Sequence, residues 1–392
     1  MREDDPSGRD RTAIIVSGAH RSGATTMARV FERLGARVIP PGRAGAARRD
    51  RLRTVADLNE QVLERFESWW AGWESIDEDE LLSLVRLVER ARRLVRTHAG
   101  DEGPVVLQDP QLSRLMPLWT RALEQEGFRC VHVVALRHPR VATRSMMRRD
   151  GVGRKAAALP WLGLSLDAER HTRNHPRVFV SLDNLLRDWR SEVDRVSSAL
   201  DLRWPTAPDE VAGAVEELLD GAGRPDASQS EHTAGPVAVI SPVHDVLGRW
   251  SEDVVHADDV QVLESWHTAL RPVRRPRSAV AHLSTERSHA LADARAKGQP
   301  GGRLSSAELW SRIELEAHDL EAEAAWAWLM RERQHAGAAG QAPARSGRLD
   351  GRLVRRAVPA KVRRMVRRLT RTGSVAQGSP ASEQGREPRG SR

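Results

Sequence analysis

The chain of 392 residues contains no tyrosine, one cysteine and few lysines. The single cysteine, Cys130, excludes an internal disulfide framework and a cysteine-rich zinc site. No ligand spacing typical of a metal site appears among the 14 histidines, so we expect no bound metal. No apolar run approaches the roughly 18 residues of a transmembrane helix, and the polar segment 1–10 lacks the apolar core of a secretory signal. These absences predict a cytoplasmic protein.

Positive charge exceeds negative charge by 8, and nearly all of it comes from arginine, since Lys155, Lys297 and Lys361 are the only lysines. Such an excess indicates an anionic partner only where the charges cluster. They cluster in segment 352–371, where a face of valine, methionine and leucine opposes a face of arginine and lysine. We expect this amphipathic helix to contact the anionic surface on the inner side of the membrane. A solvated tail helix and nonspecific nucleic-acid contact are the alternatives; no specific nucleic-acid partner is expected.

A strand, a glycine-containing turn and a helix follow one another near the start of the chain. The run 12–17 is apolar and β-branched, and apolar residues then recur at Met27, Val30, Phe31 and Leu34 with helical spacing. Such a turn directs backbone N–H groups and the positive end of a helix at one point, which suits a phosphate or sulfate group. A tight turn that binds nothing is the alternative.

The turn can be compared with the Walker pattern G-x-x-x-x-G-K-[ST]. Gly18, Gly23 and Thr25 match it, but Ala24 stands where the lysine belongs. Hydrolysis of a nucleoside triphosphate needs that lysine, so the substitution disfavours it, and a kinase-like enzyme using Arg21 instead is a minor alternative. The backbone of the turn still forms an anion cradle, to which His20 and Arg21 add positive charge.

Further apolar runs alternate with helical patterns and predict an α/β fold, a P-loop-type parallel sheet flanked by helices with a helical C-terminal extension. The predicted strands are 12–17, 37–39, 105–107, 131–136 and 178–181. Besides the first, helices are expected at 52–73, at 81–100 with Asp77 announcing its start, at 112–123, through Val141, Ser145 and Met146, and at 184–200. Ligands of such sheets bind at the carboxyl ends of the strands. We therefore expect 18–25, 108–110 and 137–139 to converge on one crevice.

The composition divides the chain into four parts. We expect a disordered lead at 1–10, a P-loop α/β domain at 11–205, a helical extension at 206–333, and a basic, largely disordered tail at 334–392. Trp69, Trp70 and Trp73 near the end of the second predicted helix would either stack on a sugar or base or pack into the core, and packing is favoured.

Four segments in this order resemble the sulfotransferases that use 3′-phosphoadenosine 5′-phosphosulfate (PAPS), especially bacterial members with a G-x-H-R-S-G-T-[ST] loop. Segment 18–25 reads GAHRSGAT and resembles the loop that wraps the 5′-phosphosulfate. Segment 108–112, QDPQL, resembles the family's K-D-P-R-L, and 136–145, LRHPRVATRS, resembles its 3′-phosphate segment. Segment 180–189, VSLDNLLRDW, resembles V-x-Y-[ED]-x-L-L-x-D-W.

The resemblance implies transfer of a sulfuryl group from PAPS to a hydroxyl group, with a carbohydrate or related molecule as the expected acceptor and no metal. The co-substrate would be held by Gly18, Arg21, Ser22, Gly23, Ala24, Thr25 and Thr26, together with Arg137 and Ser145 for the 3′-phosphate. Sulfuryl transfer needs positive charge on the leaving phosphate and a base for the acceptor proton. Arg21 is the candidate for the charge, and His20, Asp109 and Glu60 are the candidates for the base.

Four positions within these segments depart from the family pattern. Ala24 replaces a threonine, Gln108 a lysine, Gln111 an arginine and Leu182 a tyrosine. Loss of one charge stabiliser typically lowers a rate by about 10²–10³-fold. The departures therefore motivate an alternative, a catalytically degenerate protein that binds the nucleotide or a partner without turnover.

Overall fold

A parallel sheet of five strands forms the centre of the fold, in the order β2-β3-β1-β4-β5. The strands are β1 (Thr12–Gly18), β2 (Arg37–Val38), β3 (Val105–Gln108), β4 (Arg129–Leu136) and β5 (Arg177–Ser181). The structure, a computed structural model, describes residues 11–40, 54–73, 75–100, 103–221, 235–270 and 304–339. The predicted α/β fold class is confirmed, and all five predicted strands are present.

The helices lie on both sides of this sheet. In chain order they are α1 (Ala24–Arg33), α2 (Val55–Arg65), α3 (Glu78–Leu82), α4 (Val85–His98), α5 (Leu112–Glu124), α6 (Pro139–Asp150), α7 (Arg154–Thr172), α8 (Leu182–Arg187), α9 (Trp189–Leu200), a 3₁₀ turn (Pro208–Val211), α10 (Ala212–Asp220), α11 (Pro236–Trp250), α12 (Asp259–Leu270) and α13 (Leu304–Ala339).

Alternation along the central strand explains the continuous apolar run in the sequence. Ala13 and Ile15 face a core formed with α2–α5, whereas Ile14 and Val16 face a core formed with α1, α9 and α10. A strand that is buried on both faces carries apolar side chains on each, so polar and apolar residues do not alternate along its sequence. A third core joins β4 and β5 to α6, α7 and α11–α13, so helices from the second half of the chain pack on the same sheet.

Three of the predicted helices have different bounds in the structure. Helix α2 ends at Arg65, and Glu67 adopts a left-handed φ of 50°, so the predicted helix 52–73 is too long. The stretch from Asp77 to Gly100 contains two helices, and Asp77 starts the first as predicted, accepting bonds from the N–H groups of Asp79 and Glu80. The stretch 184–200 is divided at Asp188, whose non-helical backbone and capping carboxylate start a new helix.

The sequence patterns did not predict α7. This helix of 19 residues is buried on nearly all sides and contains Pro160. A helix surrounded by protein shows no amphipathic stripe, which is the signal that periodicity detects. Its apolar residues therefore have no polar face against which to stand out.

Several predictions fall on other parts of the chain. The lead 1–10 and the basic helix 352–371 lie outside the described residues, as does nearly all of the tail 334–392. Within the ranges that the structure describes, no helix combines the length and the apolar character needed to cross a bilayer.

Candidate functional site

The turn after β1 requires glycine at its first position. Gly18 has a φ of +139°, and a Cβ there would lie 2.4 Å from the carbonyl oxygen of Ala135 on the neighbouring strand. The Ser113 hydroxyl accepts a bond from the Gly18 N–H at 3.0 Å and donates to its carbonyl at 3.2 Å. These contacts place the start of the loop directly against the end of β4 and against α5. A β-carbon at position 18 would prevent this close approach.

Helix α1 starts where this loop ends. Its N-cap, Gly23, has a left-handed φ of 97°, and no side chain caps the first turn. The first turn also carries no acidic residue. Uncapped N–H groups and the helix dipole favour an anion at this end.

The loop and the start of α1 line a cavity of about 410 Å³, here called the loop cavity. Its lining consists of Ala19, His20, Arg21, Ser22, Gly23, Ala24, Thr25, Thr26, Trp70, Gln108, Pro110, Arg137, Arg149, Asp150 and Leu182. The structure thus brings the predicted loop residues and Arg137 into one cavity at the carboxyl ends of β1, β3 and β4. Gly18, Asp109 and Ser145, also predicted as site residues, are not part of the lining.

Two polar atoms at the loop cavity are buried without a partner among the described residues, the Ser22 hydroxyl and the Arg137 Nε. Burial lowers the pKa of Arg137, an effect that the Asp183 carboxylate opposes and the Arg21 charge reinforces. A buried donor without an acceptor costs about 1–3 kcal/mol, more when it is charged. Both residues line the cavity, so an arginine, a serine and the uncapped start of α1 together fit a phosphate or sulfate group.

Arg21 occupies the tip of the loop with a left-handed φ of 67°. Its Nε donates a hydrogen bond of 2.9 Å to the hydroxyl of Ser145 on α6. Ser145 is therefore connected to the site through Arg21, although it does not line the cavity itself.

His20 is buried beside the ring of Trp70. The two rings meet edge to face at 5.2 Å, and the imidazole Nε2 lies 2.7 Å from the Trp70 carbonyl oxygen. Since a carbonyl only accepts, Nε2 carries the proton and Nδ1 holds the lone pair. Burial lowers the pKa of His20 to about 4, with the Arg114 and Arg21 charges adding to the shift. His20 is therefore neutral at physiological pH.

A buried arginine supports the segment that carries Trp70. Arg114 donates to the Ser68 hydroxyl at 3.1 Å, to the Trp69 carbonyl at 2.8 Å and to the side-chain oxygen of Gln111. The Gln111 amide in turn donates to the Trp70 carbonyl at 2.7 Å. Gln111, one of the departures from the family pattern, thus helps to hold Trp70 against the loop cavity.

Asp109 lies next to the loop cavity but points away from it into a structural network. Its Oδ1 accepts from the Asn59 side chain at 2.9 Å and from the Gln111 N–H at 2.8 Å. Burial raises the pKa of Asp109 to about 6, although both hydrogen bonds and the Arg114 charge act in the opposite direction. These contacts favour a role in positioning the start of α5. The other candidate base, Glu60, is exposed on α2 outside the lining.

The tryptophans predicted to pack do so unequally. Trp73 is buried and Trp69 packs against the same core, but Trp70 is 38% exposed and lines the loop cavity. All three follow α2 in a loop, so they do not share a helical face.

Sequence reasoning missed Arg149 and Asp150, which end α6 at the loop cavity. One signal could have found them: Arg149 follows Ser145 by four positions, which places the two on one side of a helix. It also missed Ser113 and Arg114, since nothing in their local pattern distinguishes them from other residues of α5.

A second cavity of about 340 Å³, here called the α1 groove, shares Thr25 and Thr26 with the loop cavity. It runs between α1 and α10, and Arg29 and Arg33 line one wall. Glu217 on α10 provides negative charge at the other wall.

One group of potential metal ligands occurs among the described residues, His256, Asp258 and Asp259. The Asp259 carboxylate already accepts bonds from Arg249, the Trp250 indole and the His256 N–H. None of the three ligands lines the loop cavity or the α1 groove.

Comparisons with known proteins add little to this geometry. No protein-family model matches the chain, and no curated protein matches it significantly. The chain is similar to a solved sulfotransferase domain of the olefin synthase from Synechococcus PCC 7002, with 14% identity over 66% of this chain and 94% of that domain. The TM-score of that comparison is 0.32. Values this low establish neither the family nor the function.

Proposed function

We propose that the chain transfers a sulfuryl group from PAPS to a hydroxyl group of an acceptor. The observation that carries the proposal is the pair of buried, unpartnered donors, Ser22 Oγ and Arg137 Nε, at one cavity with the uncapped start of α1. They belong to two segments that resemble the 5′-phosphosulfate loop and the 3′-phosphate segment of sulfotransferases. An anion with more than one charged group matches this arrangement better than a single small ion.

In this proposal the loop residues hold the 5′ end of the nucleotide. The uncapped N–H groups at the start of α1, together with the Thr25 and Thr26 hydroxyls, supply donors without needing a lysine. Arg137 presents a planar guanidinium, which suits a phosphate. The α1 groove continues from Thr25 and Thr26 and offers space for the remainder of the nucleotide, with Arg29 and Arg33 adding positive charge.

The same residues would assist the transfer. Bound PAPS would supply a sulfuryl group attached to a phosphate that leaves with its electrons. Arg21 and the start of α1 stabilise negative charge at that phosphate, because both are in place before the reaction. The half-exposed indole of Trp70 offers a flat apolar surface beside the loop cavity, which suits a sugar ring and supports a carbohydrate acceptor.

A second candidate function, binding without turnover, is favoured by one observation. No lysine lines the loop cavity within the described part of the chain, and Gln108 lies where the resemblance would place one. Lys155 is paired with Glu323 away from the cavity. A site with less positive charge stabilises the leaving phosphate less and still binds the product nucleotide.

Calorimetric binding of 3′-phosphoadenosine 5′-phosphate tests the site. We expect micromolar binding by the natural chain and a loss of at least about tenfold in Arg137→Ala, because a charge-assisted bond contributes about 1.5–3 kcal/mol. Arg121→Ala is the matched control, since Arg121 is exposed on α5 outside both cavities. Equal affinity in the three proteins would place the nucleotide elsewhere, and preference for ATP would favour a kinase-like enzyme.

Turnover separates the two candidate functions. Three proteins are each incubated with sulfur-labelled PAPS and a panel of hydroxyl acceptors. They are the natural chain, the single variant Gln108→Lys, and the double variant that combines Ala24→Thr with Gln108→Lys. A transferase gives labelled product with the natural chain, and Gln108→Lys raises the rate. Nucleotide binding without product in any of the three proteins would support binding alone.

A further inference from the structure

Asp150 is the one carboxylate that lines the loop cavity within the described part of the chain. The cavity otherwise presents cationic and neutral groups, among them Arg21, Arg137 and Arg149. Two of the three bases suggested by the sequence, Asp109 and Glu60, lie outside the lining. The titratable proton acceptors that remain among the lining residues are therefore His20 and Asp150.

The end of α6 determines where Asp150 lies. Asp150 is the last residue of the helix, and Gly151 follows it with a left-handed φ of 72°. The Asp150 side chain is 23% exposed, while that of Arg149 is 68% exposed, with 4.0 Å between Arg149 Nε and Asp150 Oδ1. Asp150 thus sits at the boundary between the cavity and solvent, where an acceptor would enter.

Helix α13 holds the turn that follows Asp150. The Gly153 N–H donates to the Asp319 carboxylate at 2.7 Å, and Lys155 pairs with Glu323 one turn further along α13. Leu315 of the same helix lies beside Gly151, because a Cβ built on this glycine would be 3.5 Å from the Leu315 Cδ1 atom. These contacts on both sides of the turn restrict its movement and keep the end of α6 at the cavity.

Resting on the proposed function, we propose that Asp150 is the base that accepts the proton of the acceptor hydroxyl. As the acceptor oxygen bonds to sulfur, its proton passes to the Asp150 carboxylate, and the bond between sulfur and the bridging phosphate oxygen breaks. The electron pair of that bond stays on the phosphate, so charge and atoms balance. Asp150 returns the proton to water after the product leaves.

Asp150 is more accessible than His20, because its side chain is 23% exposed, whereas His20 is 9% exposed and its Nε2 lies 2.7 Å from the Trp70 carbonyl oxygen. Burial raises the pKa of Asp150, while the charges of Arg149 and Arg21 favour its ionised form. A raised pKa makes the ionised carboxylate a stronger base. Burial instead lowers the pKa of His20 to about 4, which makes its imidazole a weaker base than usual.

The test compares Asp150→Asn with Asp150→Glu, His20→Gln and the control Asp194→Asn, whose carboxylate is exposed on α9. We expect Asp150→Asn to lower kcat by about 10²–10⁴-fold, the usual contribution of general base catalysis. It should bind 3′-phosphoadenosine 5′-phosphate at least as well as the natural chain, since it removes a negative charge. Asp150→Glu should recover part of kcat, and Asp194→Asn should match the natural chain in both measurements.

The pH profile provides a further readout. Activity of the natural chain should fall at acidic pH as Asp150 becomes protonated, and Asp150→Asn should lose that limb. Unchanged kcat in Asp150→Asn, or a larger loss in His20→Gln with an intact acid limb in Asp150→Asn, would overturn the assignment. Absence of nucleotide binding in the natural chain would refute the proposed function itself, a result that the binding measurement reports separately from the role of Asp150.

Discussion

The Nε of Arg21 donates a hydrogen bond of 2.9 Å to the Ser145 hydroxyl, across a sequence separation of 124 residues. Arg21 lies at the tip of the loop after β1, and Ser145 lies on α6, which follows β4. The sequence resemblance assigns these two residues to opposite ends of the same nucleotide. Their direct contact means that protein groups hold the loop after β1 and helix α6 in a common arrangement.

Removal of either partner should weaken nucleotide binding with little effect on folding. Arg21→Ala should lower the affinity for 3′-phosphoadenosine 5′-phosphate by about 10–100-fold and Ser145→Ala by about 2–10-fold, as expected for a charged and a neutral hydrogen bond. The free energy of unfolding should change by no more than about 1 kcal/mol, because the pair is exposed. Calorimetry and urea unfolding measure the two quantities.

A double-mutant cycle tests whether the pair acts together. If Arg21 and Ser145 organise one another, the loss of affinity in the double variant should be smaller than the two single losses combined. Additive losses would show that each residue contacts the ligand independently. Full affinity in Ser145→Ala would remove Ser145 from the site.

The conformation of the loop predicts a strong effect at Gly18. Gly18→Ala should destabilise the fold by about 3 kcal/mol or more, since its Cβ would meet the Ala135 carbonyl and its positive φ costs a further 1–2 kcal/mol or so. Gly213→Ala is the matched control, because Gly213 lies in α10 with open space around a Cβ. That variant should be unchanged or more stable by up to about 1 kcal/mol. Equal unfolding midpoints in urea would contradict the close approach at Gly18.

The raised pKa of Asp109 predicts a dependence of stability on pH. The ordinary pKa is 3.8 and the value in the fold is about 6, so the folded chain binds more protons between these limits. Stability associated with this group is therefore complete below about pH 4 and declines as the pH rises to about 6, by roughly 1–3 kcal/mol.

Asp109→Asn should remove that decline. The asparagine oxygen can still accept from Asn59 and the Gln111 N–H, and no charge is buried. We expect this variant to unfold at higher urea concentration than the natural chain at pH 7.5 and at a similar concentration at pH 4.5. Asp194→Asn serves as the control. A variant that is less stable at pH 7.5 would show that the Asp109 charge is stabilising.

Much of the fold follows from local sequence pattern. Four of the five strands are apolar runs, the exception being the two-residue strand β2, and parallel strands separated by helices bring their carboxyl ends to one edge. For this reason the loop 18–25, Gln108 and Arg137 could be expected at one crevice, and residues 19–25 of the loop, Gln108 and Arg137 line one cavity in the structure. Their chemical roles remain predictions.

Other features depend on contacts that no local pattern contains. Helix α7 has no amphipathic stripe because protein surrounds it, and the direction of the Asp109 carboxylate depends on Asn59, 50 residues away. The turn after Asp150 is held by a hydrogen bond from the Gly153 N–H to Asp319 on α13, and these two residues are 166 positions apart in the chain. The sequence by itself determined the strands, the glycine turn and the edge at which they meet, because periodicity and backbone conformation are local properties. Only the tertiary structure decided which side chains reach the cavity, because that depends on how elements distant in the chain pack together.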